Sequence, residues 1–366
     1  MLRTVSRVRN LPREREIAEV LARHGFGFVL RKYALGRFLL GFRGVPRDER
    51  LPVHWGDELR AILEELGPTY IKMGQVLSLR PDIFPAEVLF ALRGLRDQVR
   101  PVPFAEIREV IEADLEAGVD ELFDQLDPEP IGSASIGQVY VARHGGRKVA
   151  VKVQRPGSAD KVEADLRVMA DIADVVRRRT PDLFFDPVRL VEEVAGFLRS
   201  ELDYLEEARN TERIRDDFRE DDRVIVPEVH WDRTTSRVLT TEFIEGTPLS
   251  RLDPAAFSLE DRRRLATLGA ELSMTQVFEH GAFHGDAHPS NILVVSPERY
   301  GLIDFGLVGY VSEREMRVLT DYLIHLIRQQ SDRLVRDLRQ LGVTIPREHE
   351  EDVGVAFDSL IRRYYG

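Results

Sequence analysis

The hydrophobic pattern of the chain changes near residue 127, and this change limits the folds open to the chain more than any other feature. Over residues 13–115, apolar side chains recur at three- and four-residue spacing, which is typical of helices, with breaks at 67–68 and at proline-containing turns. Over residues 131–153, β-branched residues alternate around glycines, which predicts antiparallel strands joined by a hairpin. We therefore predict an α+β fold with an N-terminal helical extension.

The rest of the chain alternates between helical and strand patterns. The spacing predicts helices over 160–179, 187–218 and 259–280, strands over 223–229, 236–243, 292–295 and 301–303, and helices again from about 312.

Composition narrows the classes of function. The 366 residues are 43% hydrophobic and 31% charged, as in soluble globular proteins of two or three packed units. The chain contains no cysteine, which excludes disulfides, thiolate-bound zinc, iron–sulfur clusters and a cysteine nucleophile. Its net charge of −11 argues against a nucleic-acid partner.

The basic residues are concentrated at the start of the chain. Residues 1–50 carry twelve Arg or Lys against five Asp or Glu, a pattern that suits an anionic membrane surface or, equally, a solvated helical face. Arg3, Arg7 and Arg9 interrupt any secretory signal, and no apolar stretch approaches the ~20 residues that a bilayer requires. We expect a cytoplasmic protein that contacts the inner face of the membrane peripherally.

Two motifs in the predicted sheet indicate phosphate binding. Residues 132–139 fit the kinase loop template G-x-G-x-x-G-x-V, except that Ala134 replaces the middle glycine, and residues 149–152 match V-A-I-K with Lys152 as its lysine. Such a lysine contacts the α- and β-phosphates of ATP. The residues predicted to bind nucleotide in this part of the chain are Gly132, Ser133, Ala134, Ser135, Gly137, Val139, Ala150 and Lys152.

The second half of the chain carries the matching catalytic motifs. In residues 284–291, Asp286 precedes Asn291 by five residues, as in a kinase catalytic loop, and Asp304 opens an Asp-Phe-Gly sequence thirteen residues later. Asp286 is the predicted catalytic group facing the phosphate acceptor, and Asn291 and Asp304 are the predicted Mg²⁺ ligands. His284-x-Asp286-x-His288 could alternatively bind zinc, but that interpretation leaves Lys152, Asn291 and Asp304 unexplained.

Further residues complete the predicted site. Glu207, on the helix predicted before the third strand, is the expected partner of Lys152, and backbone groups near Glu242 and Ile244 would receive adenine. A capping box at Ser312 predicts that a helix starts soon after Gly306, which leaves no room for an activation segment. An A-P-E motif is also absent, and these features argue against an ordinary protein kinase.

Together these motifs resemble the UbiB family of atypical kinase-like proteins, which is associated with coenzyme Q biosynthesis. Residues 72–75 look like its K-x-G-Q signature, and Glu201-x-Asp203 with Asn210 is similar to its E-x-D helix. By this resemblance the K-x-G-Q helix covers the active site and excludes peptides, and Lys72 faces Glu201 and Asp203. The implied regulatory residues are Lys72, Gln75, Glu201 and Asp203.

The resemblance also implies cofactors and partners. Members bind ATP or ADP with Mg²⁺ and act as ATPases or small-molecule kinases in the metabolism of quinones or isoprenoid lipids, with lipid quinone precursors or quinone-biosynthesis proteins as partners. Two departures concern nucleotide preference and length: Gly132 stands where many members have Ala, and the sequence ends at Gly366 without the hydrophobic segments of many members. We therefore expect a short or truncated member.

The predicted architecture is a bilobal protein-kinase-like fold with ATP and Mg²⁺ between its lobes. Residues 1–127 would form the helical extension, 128–245 an N-lobe with inserted helices, and 246–366 a C-lobe. Two other functions remain open: a nucleotide-gated scaffold without turnover, and a soluble small-molecule phosphotransferase of the aminoglycoside or choline kinase type.

Overall fold

A computed structural model describes residues 2–24, 26, 55–95, 99–180, 183, 185–346 and 349–365, and side chains are described from residue 12 to residue 364 of these ranges. The described chain forms two compact units. The first unit comprises Met1–Ala208 and Val229–Phe243, and the second comprises Arg209–Glu228 and Ile244–Gly366. The three-part division at residues 127 and 245 remains a proposal.

The first unit begins with the predicted helical extension. Its helices are α1 (Leu2–Arg23), α2 (Trp55–Leu66), α3 (Pro68–Leu77), α4 (Ala86–Leu92), α5 (Phe104–Leu115) and α6 (Val119–Leu122). The predicted breaks at residues 67 and 101–103 separate α2 from α3 and precede α5, because proline starts a helix readily but cannot continue one. Within the described residues, no helix combines the length and apolar character needed to cross a bilayer.

One buried ion pair anchors α1. The guanidinium of Arg13 contacts the carboxylate of Asp165 at 2.6 Å and the carbonyl of Leu66 at 2.7 Å, and Asp165 is fully buried. Burial opposes the charge of Arg13, but the hydrogen bonds that it donates to Asp165 and Glu16 raise its pKa above the ordinary value. Arg13 is therefore engaged within the protein. The side chains of Arg3, Arg7 and Arg9 and residues 27–50 lie outside the described part, so the predicted basic surface stays a prediction.

A mixed-length antiparallel sheet forms the rest of this unit. Its strands are β1 (Gln125–Leu126), β2 (Gly132–Ser133), β3 (Gly137–His144), β4 (Arg147–Gln154) and β6 (Val238–Glu242), in the order β1-β3-β4-β6 with β2 also pairing β3. Gly145 and Gly146 join β3 to β4, and both have positive φ angles (57° and 75°), as the tightest hairpin turns require. The hairpin that the sequence predicts is therefore present, and Val149, Val151 and Val153 of β4 are completely buried.

The helices that follow differ in one place from their prediction. The chain forms α7 (Ser158–Arg179), α8 (Pro187–Ser200) and α9 (Tyr204–Asp217). The single helix predicted over 187–218 was wrong, because it is interrupted at 201–203. There the carboxylate of Asp203 accepts a hydrogen bond from the Leu205 amide at 3.1 Å, which starts a new helix in the manner of an N-cap. Glu201 and Asp203 thus lie in a turn between two helices, and their placement on a helix was also wrong.

The second unit has two small sheets and a group of helices. Its strands are β5 (Val224–Ile225), β7 (Thr247–Pro248), β8 (Ala282–His284), β9 (Ile292–Ser296), β10 (Arg299–Leu302) and β11 (Val308–Tyr310). One sheet has the order β5-β10-β9-β7, and β8 pairs with β11. The strand predicted over 223–229 is shorter than expected, because Pro227 has no amide hydrogen to continue a ladder.

Helices α10 (Leu259–Thr275), α11 (Glu313–Ile327), α12 (Ser331–Gln340) and α13 (Glu350–Tyr365) complete the second unit. A short π-helical segment, Gln276–His280, extends α10 as far as the sequence predicts. The predicted capping box is present at the start of α11, where Ser312 and Glu315 bond each other's backbone amides. The core of this unit surrounds Phe305, whose side chain is completely buried.

Candidate functional site

The predicted phosphate loop forms a tight, internally bonded turn in the first unit. Ser133 of β2 pairs with Gln138 of β3, and the amide of Ala134 donates to the carbonyl of Gly137 at 2.9 Å. The Arg155 side chain holds this turn from one side, since its guanidinium donates to the Ala134 carbonyl at 2.9 Å and to Ser133 Oγ at 2.8 Å. The contact of Arg155 with this loop was not predicted, because Arg155 belongs to no motif.

The two end glycines of this loop have different steric roles. A Cβ atom at Gly137 would lie 2.9 Å from the carbonyl oxygen of Val153 and closer still to the Tyr204 hydroxyl, so this position excludes a side chain. A Cβ atom at Gly132 would meet only Val139, at 4.0 Å. Packing therefore requires glycine at 137 and leaves room for alanine at 132.

Lys152 is held in an ion pair on the central strand. Its neighbours across the ladders are Val139 on β3 and Leu239 on β6, and its Nζ lies 2.7 and 2.9 Å from the two carboxylate oxygens of Glu207. The Glu207 side chain is 7% exposed and Lys152 is 24% exposed. Tyr204 lies beneath the ammonium group, with its ring centroid 5.2 Å away. The ammonium group is thereby oriented by a doubly bonded carboxylate and an aromatic face.

The other nucleotide-binding predictions in this unit are distributed along the same strands. Ser135 is buried in the loop, and Ala150 lies between Val141 and Thr241 in the ladder. Glu242 ends β6 opposite Val149, as the last residue of that strand.

The K-x-G-Q helix, α3, contributes a second lysine to the same unit. Lys72 Nζ lies 2.9 Å from Glu201, with 14% of the lysine and 22% of the glutamate side chain exposed. Gln75 is half-buried one turn further on the same helix face. A Cβ atom at Gly74 would approach Leu63 to 2.6 Å, so glycine permits the close packing predicted for this helix.

In the second unit, His284 organises the predicted catalytic loop from inside. Its Nε2 donates to the Ile303 carbonyl at 3.0 Å, and its Nδ1 accepts from the Asp286 amide at 3.2 Å, so both ring nitrogens are used. The side chain is also buried, with 6% exposed. His284 is thus occupied in loop structure, and the zinc interpretation of His284-x-Asp286-x-His288 loses its first ligand.

Asn291 and Asp286 are joined through the loop backbone. The side-chain nitrogen of Asn291 donates to the backbone carbonyl of Asp286 at 3.1 Å, and the backbone carbonyl of Asn291 accepts from the Ile303 amide at 3.0 Å. The side-chain oxygen of Asn291, the atom that a magnesium ion would take, is not used in this bond. The Asp286 side chain is exposed, as an acid that meets an incoming acceptor must be.

Asp304 has an unusual backbone conformation. Its φ angle is +65°, in the left-handed region that non-glycine residues rarely adopt and that is found at functional sites. The next residue is fixed on both sides: the Phe305 ring packs 5.0 Å from that of His284, and its carbonyl accepts from Asn210 at 3.1 Å. Asn210 in turn accepts from the Tyr310 hydroxyl at 3.0 Å. Asn210 therefore positions the Asp-Phe-Gly turn, a role that its place in a motif did not reveal.

The segment after Gly306 is short and ordered into a strand. Strand β11 pairs Val308 with His284, and α11 begins at Glu313. In ordinary protein kinases an arginine stands just before the catalytic aspartate, where this chain has Gly285. A Cβ atom at Gly285 would lie 2.6 Å from the Leu307 side chain and 3.0 Å from its carbonyl, so that arginine does not fit here in this conformation. The short segment and the glycine at 285 are both consistent with the prediction that residues 307–312 contain no activation segment.

The predicted adenine-binding segment lies where the chain passes from one unit to the other. The Phe243 amide donates to the Lys148 carbonyl at 3.2 Å and is therefore used in the sheet. Ile244 is 8% exposed, and its side chain packs against Gly301 in the core of the second unit. The Phe243 amide is therefore not available to receive adenine in this conformation.

Comparison with known proteins connects these features to a family. The family model for the ABC1 atypical kinase-like domain matches residues 94–338, which is more than half of the chain. The chain belongs to the ABC1 family, also called UbiB. The resemblance inferred from the motifs is thereby confirmed, and so is the α+β kinase-like fold.

Curated relatives of this ABC1 family member include plant and cyanobacterial proteins. Protein ACTIVITY OF BC1 COMPLEX KINASE 8, chloroplastic, from Arabidopsis thaliana is 36% identical over 79% of this chain. Protein ACTIVITY OF BC1 COMPLEX KINASE 3, chloroplastic, from the same plant is 34% identical over 79%. An uncharacterized Synechocystis protein, sll0005, is 34% identical over 87%. The chain covers only 38%, 41% and 47% of these three proteins, respectively.

A solved structure is similar as well. The complex of Rv3197 with erythromycin from Mycobacterium tuberculosis is 29% identical, with a TM-score of 0.59 over 84% of this chain and 78% of that one. Within the ABC1 match lie Lys152, Glu207, Asp286, Asn291 and Asp304, whereas the K-x-G-Q helix precedes it.

Proposed function

We propose that the chain binds ATP or ADP with Mg²⁺ and acts as an atypical kinase or ATPase on a small molecule or lipid. The bidentate pair between Lys152 and Glu207 carries this proposal. A lysine fixed in this way on a central strand has the arrangement that kinases use to hold phosphates. The donor set of the second unit fits a hard cation, because Asp304 offers an exposed carboxylate and Asn291 an amide oxygen.

Each residue has a distinct proposed role. Lys152 would bind the phosphates, with Glu207 keeping it extended, and Asn291 and Asp304 would hold Mg²⁺, which supplies charge neutralisation at the β- and γ-phosphates. Asp286 would orient the attacking hydroxyl or water. The loop residues Gly132, Ser133, Ala134, Ser135, Gly137 and Val139 would surround the phosphates, with Ala150 and backbone groups at Glu242 and Ile244 contacting the nucleotide.

The acceptor is proposed to be small. Strand β11 and the early start of α11 leave only residues 307–312 after the Asp-Phe-Gly turn, so the platform on which ordinary kinases bind a peptide is missing from this part of the chain. Lys72, Gln75, Glu201 and Asp203 would regulate the site. In keeping with the family, we propose quinone or isoprenoid-lipid metabolism as the pathway, at an anionic membrane surface reached through basic residues of the N-terminal segment.

The test is Mg²⁺-dependent ADP release by the purified chain, with and without anionic vesicles. Asp304→Asn removes the proposed metal ligand, and Asp321→Asn, an exposed acid on α11, is the matched control. We expect turnover to disappear in Asp304→Asn, to persist in the control and to rise with vesicles. Erythromycin belongs among the small molecules added as acceptors, because the neighbouring structure was solved with it.

Other outcomes separate the remaining functions. Nucleotide binding with no turnover above that of Asp304→Asn would favour a nucleotide-gated scaffold. Turnover that depends on a soluble acceptor but not on vesicles would favour a soluble small-molecule phosphotransferase. A chain that binds no adenine nucleotide in the presence of Mg²⁺ would overturn the proposal.

A further inference from the structure

Three potential metal ligands meet in the first unit, outside the kinase motifs. They are His144, at the end of β3, and His230 and Asp232, which come just before β6. One ligand atom from each lies within 4.8 Å of those from the other two. The His144 Nε2 atom is 3.9 Å from the Asp232 carboxylate, and the two imidazole rings are 5.7 Å apart, edge to face.

The backbone on both sides of this cluster is fixed. His144 is the last residue of the β3 ladder before the two-glycine turn and pairs with Arg147. The His230 amide donates to the Thr240 carbonyl at 2.9 Å, and its carbonyl accepts from Thr234 Oγ1 at 2.9 Å. The two histidines are therefore presented by a sheet and by a turn that is bonded to the same sheet, so little ordering is needed before an ion binds.

The donor set is that of a borderline transition-metal ion. Two imidazoles and one carboxylate are common zinc ligands, and they leave a fourth position for water or an external ligand. Tetrahedral zinc with bonds of about 2.0–2.1 Å places its donors roughly 3.4 Å apart. The pair of His144 and Asp232, at 3.9 Å, needs a small closure, and the other two pairs, which lie within 4.8 Å, need a closure of up to about 1.4 Å. Asp232 can supply that movement, because its side chain is 60% exposed.

One neighbour competes for the carboxylate. Arg233 Nη1 lies 2.9 Å from Asp232, but the same guanidinium also donates to the carbonyls of Leu122 and Asp232, at 3.1 Å each. These carbonyl bonds hold Arg233 in place when the carboxylate turns towards an ion. The ion would gain a charged ligand without leaving the half-buried guanidinium of Arg233 unpaired.

We propose that His144, His230 and Asp232 form a zinc site that joins the β3–β4 hairpin to the turn preceding β6. None of the three residues belongs to the proposed nucleotide machinery. The site is accessible to solvent, with His144 and His230 half-buried and Asp232 exposed. Its main effect is structural, since an ion that binds only the folded arrangement raises the stability of that arrangement.

The test uses the full chain freed of metal and titrated with Zn²⁺ by calorimetry in millimolar Mg²⁺, which occupies the proposed nucleotide-metal site. We expect one equivalent of zinc to bind and to raise Tm. His144→Gln and Asp232→Asn should each weaken binding at least tenfold. His349→Gln is the control, because His349 lies 3.3 Å from Asp352 as an exposed pair with no third metal ligand beside it among the described residues. Co²⁺ should give the absorption of a tetrahedral site in the wild type and in His349→Gln, and should not give it in His144→Gln or Asp232→Asn.

Two results would overturn the proposal. The first is zinc binding that is unchanged in His144→Gln and Asp232→Asn. If Asp304→Asn alone removes that binding, the ion belongs to the proposed nucleotide-metal residues. The second is zinc binding by the wild type, at micromolar zinc, that does not exceed that of a variant carrying both His144→Gln and Asp232→Asn. Circular dichroism and Tm in chelator check that each variant folds, and Asp232→Asn, at a largely exposed side chain, retains the test if His144→Gln does not fold.

Discussion

Two lysines of the first unit form ion pairs with glutamates of the segment 201–207, and the two glutamates lie at opposite ends of their helices. Lys152 meets Glu207 at 2.7 Å, and Lys72 meets Glu201 at 2.9 Å. Glu207 lies in the first turn of α9, where the unpaired amide groups of the helix favour a negative charge. Glu201 is the C-cap of α8, where the last carbonyl groups disfavour one.

The two pairs therefore have different consequences for the protein. The start of its helix stabilises Glu207 as an anion, and Glu207 serves as a fixed counter-charge that orients Lys152. Glu201 is an anion at the unfavourable helix end, so it depends on Lys72 for its stability. We infer that the first pair mainly controls catalysis and that the second mainly controls the folded arrangement of α3, α8 and the turn at 201–203.

The largest expected effect comes from Glu207→Gln. The amide keeps the size of the side chain but removes the counter-charge, so Lys152 loses the orientation that phosphate binding requires. We expect Mg²⁺-dependent ADP release to fall on the order of 10²-fold. Glu206→Gln, one residue earlier and exposed, is the matched control and should keep its turnover within about twofold.

Equal losses in Glu207→Gln and Glu206→Gln would contradict the catalytic role of the Lys152 pair. So would a Glu207→Gln variant that retains turnover while its Tm falls sharply, because the pair would then act on stability alone.

Much of the fold could be predicted because local signals agree with the final structure. The alternation around Gly145 and Gly146 predicts the hairpin, and the capping box at Ser312 predicts the start of α11. The break at 201–203 could not be predicted from periodicity, since apolar spacing continues from α8 into α9. The hydrogen bond from the Leu205 amide to the Asp203 side chain starts a new helix there, and an aspartate can equally occupy a solvated helix face.

The site was predictable to the extent that motifs fix spacing. Lys152, Asp286, Asn291 and Asp304 are candidates because of their distances along the chain, and these motifs together with the K-x-G-Q and E-x-D segments indicated the family that the comparison confirms. Arg155, which anchors the phosphate loop, could not be found in this way because arginines on exposed turns are common. The cluster of His144, His230 and Asp232 joins positions more than eighty residues apart, which only the strand register brings together.

The second pair gives an intermediate effect, measured as the free energy of unfolding. Lys72→Met removes the cation and leaves Glu201 at the unfavourable helix end, so we expect a loss of about 1–3 kcal/mol in urea denaturation. Glu201→Gln should cost less, because it removes the disfavoured charge itself. The double variant should lose less than the sum of the two single variants. Additive losses would show that the two side chains do not interact in solution.

A third acid–base contact, whose acids are more exposed than Glu207 and Glu201, provides a reference for both lysine pairs. His24, at the end of α1, lies 2.8 Å from Glu58 and 2.9 Å from Glu65 on α2, and Arg23 also pairs with Glu65. The hydrogen bonds that the protonated His24 ring donates to Glu58 and Glu65 raise its pKa, against the lowering effect of burial. The pKa of Glu65 is lowered, first through its bond to His24.

The smallest expected effect is therefore a pH dependence of stability that runs through His24. Because the pKa of His24 is raised on folding, its contribution is complete below the unfolded value of about 6.5 and is lost as the pH rises through the folded value. We expect Tm to fall by on the order of 1 °C across this window in the wild type, and His24→Gln to abolish that component. The measurement is Tm from pH 6 to pH 9 at low salt and again at 0.5 M salt. An exposed ion pair is weakened by salt, so a pH slope that is the same in His24→Gln, or that high salt leaves unchanged, would remove His24 as its cause.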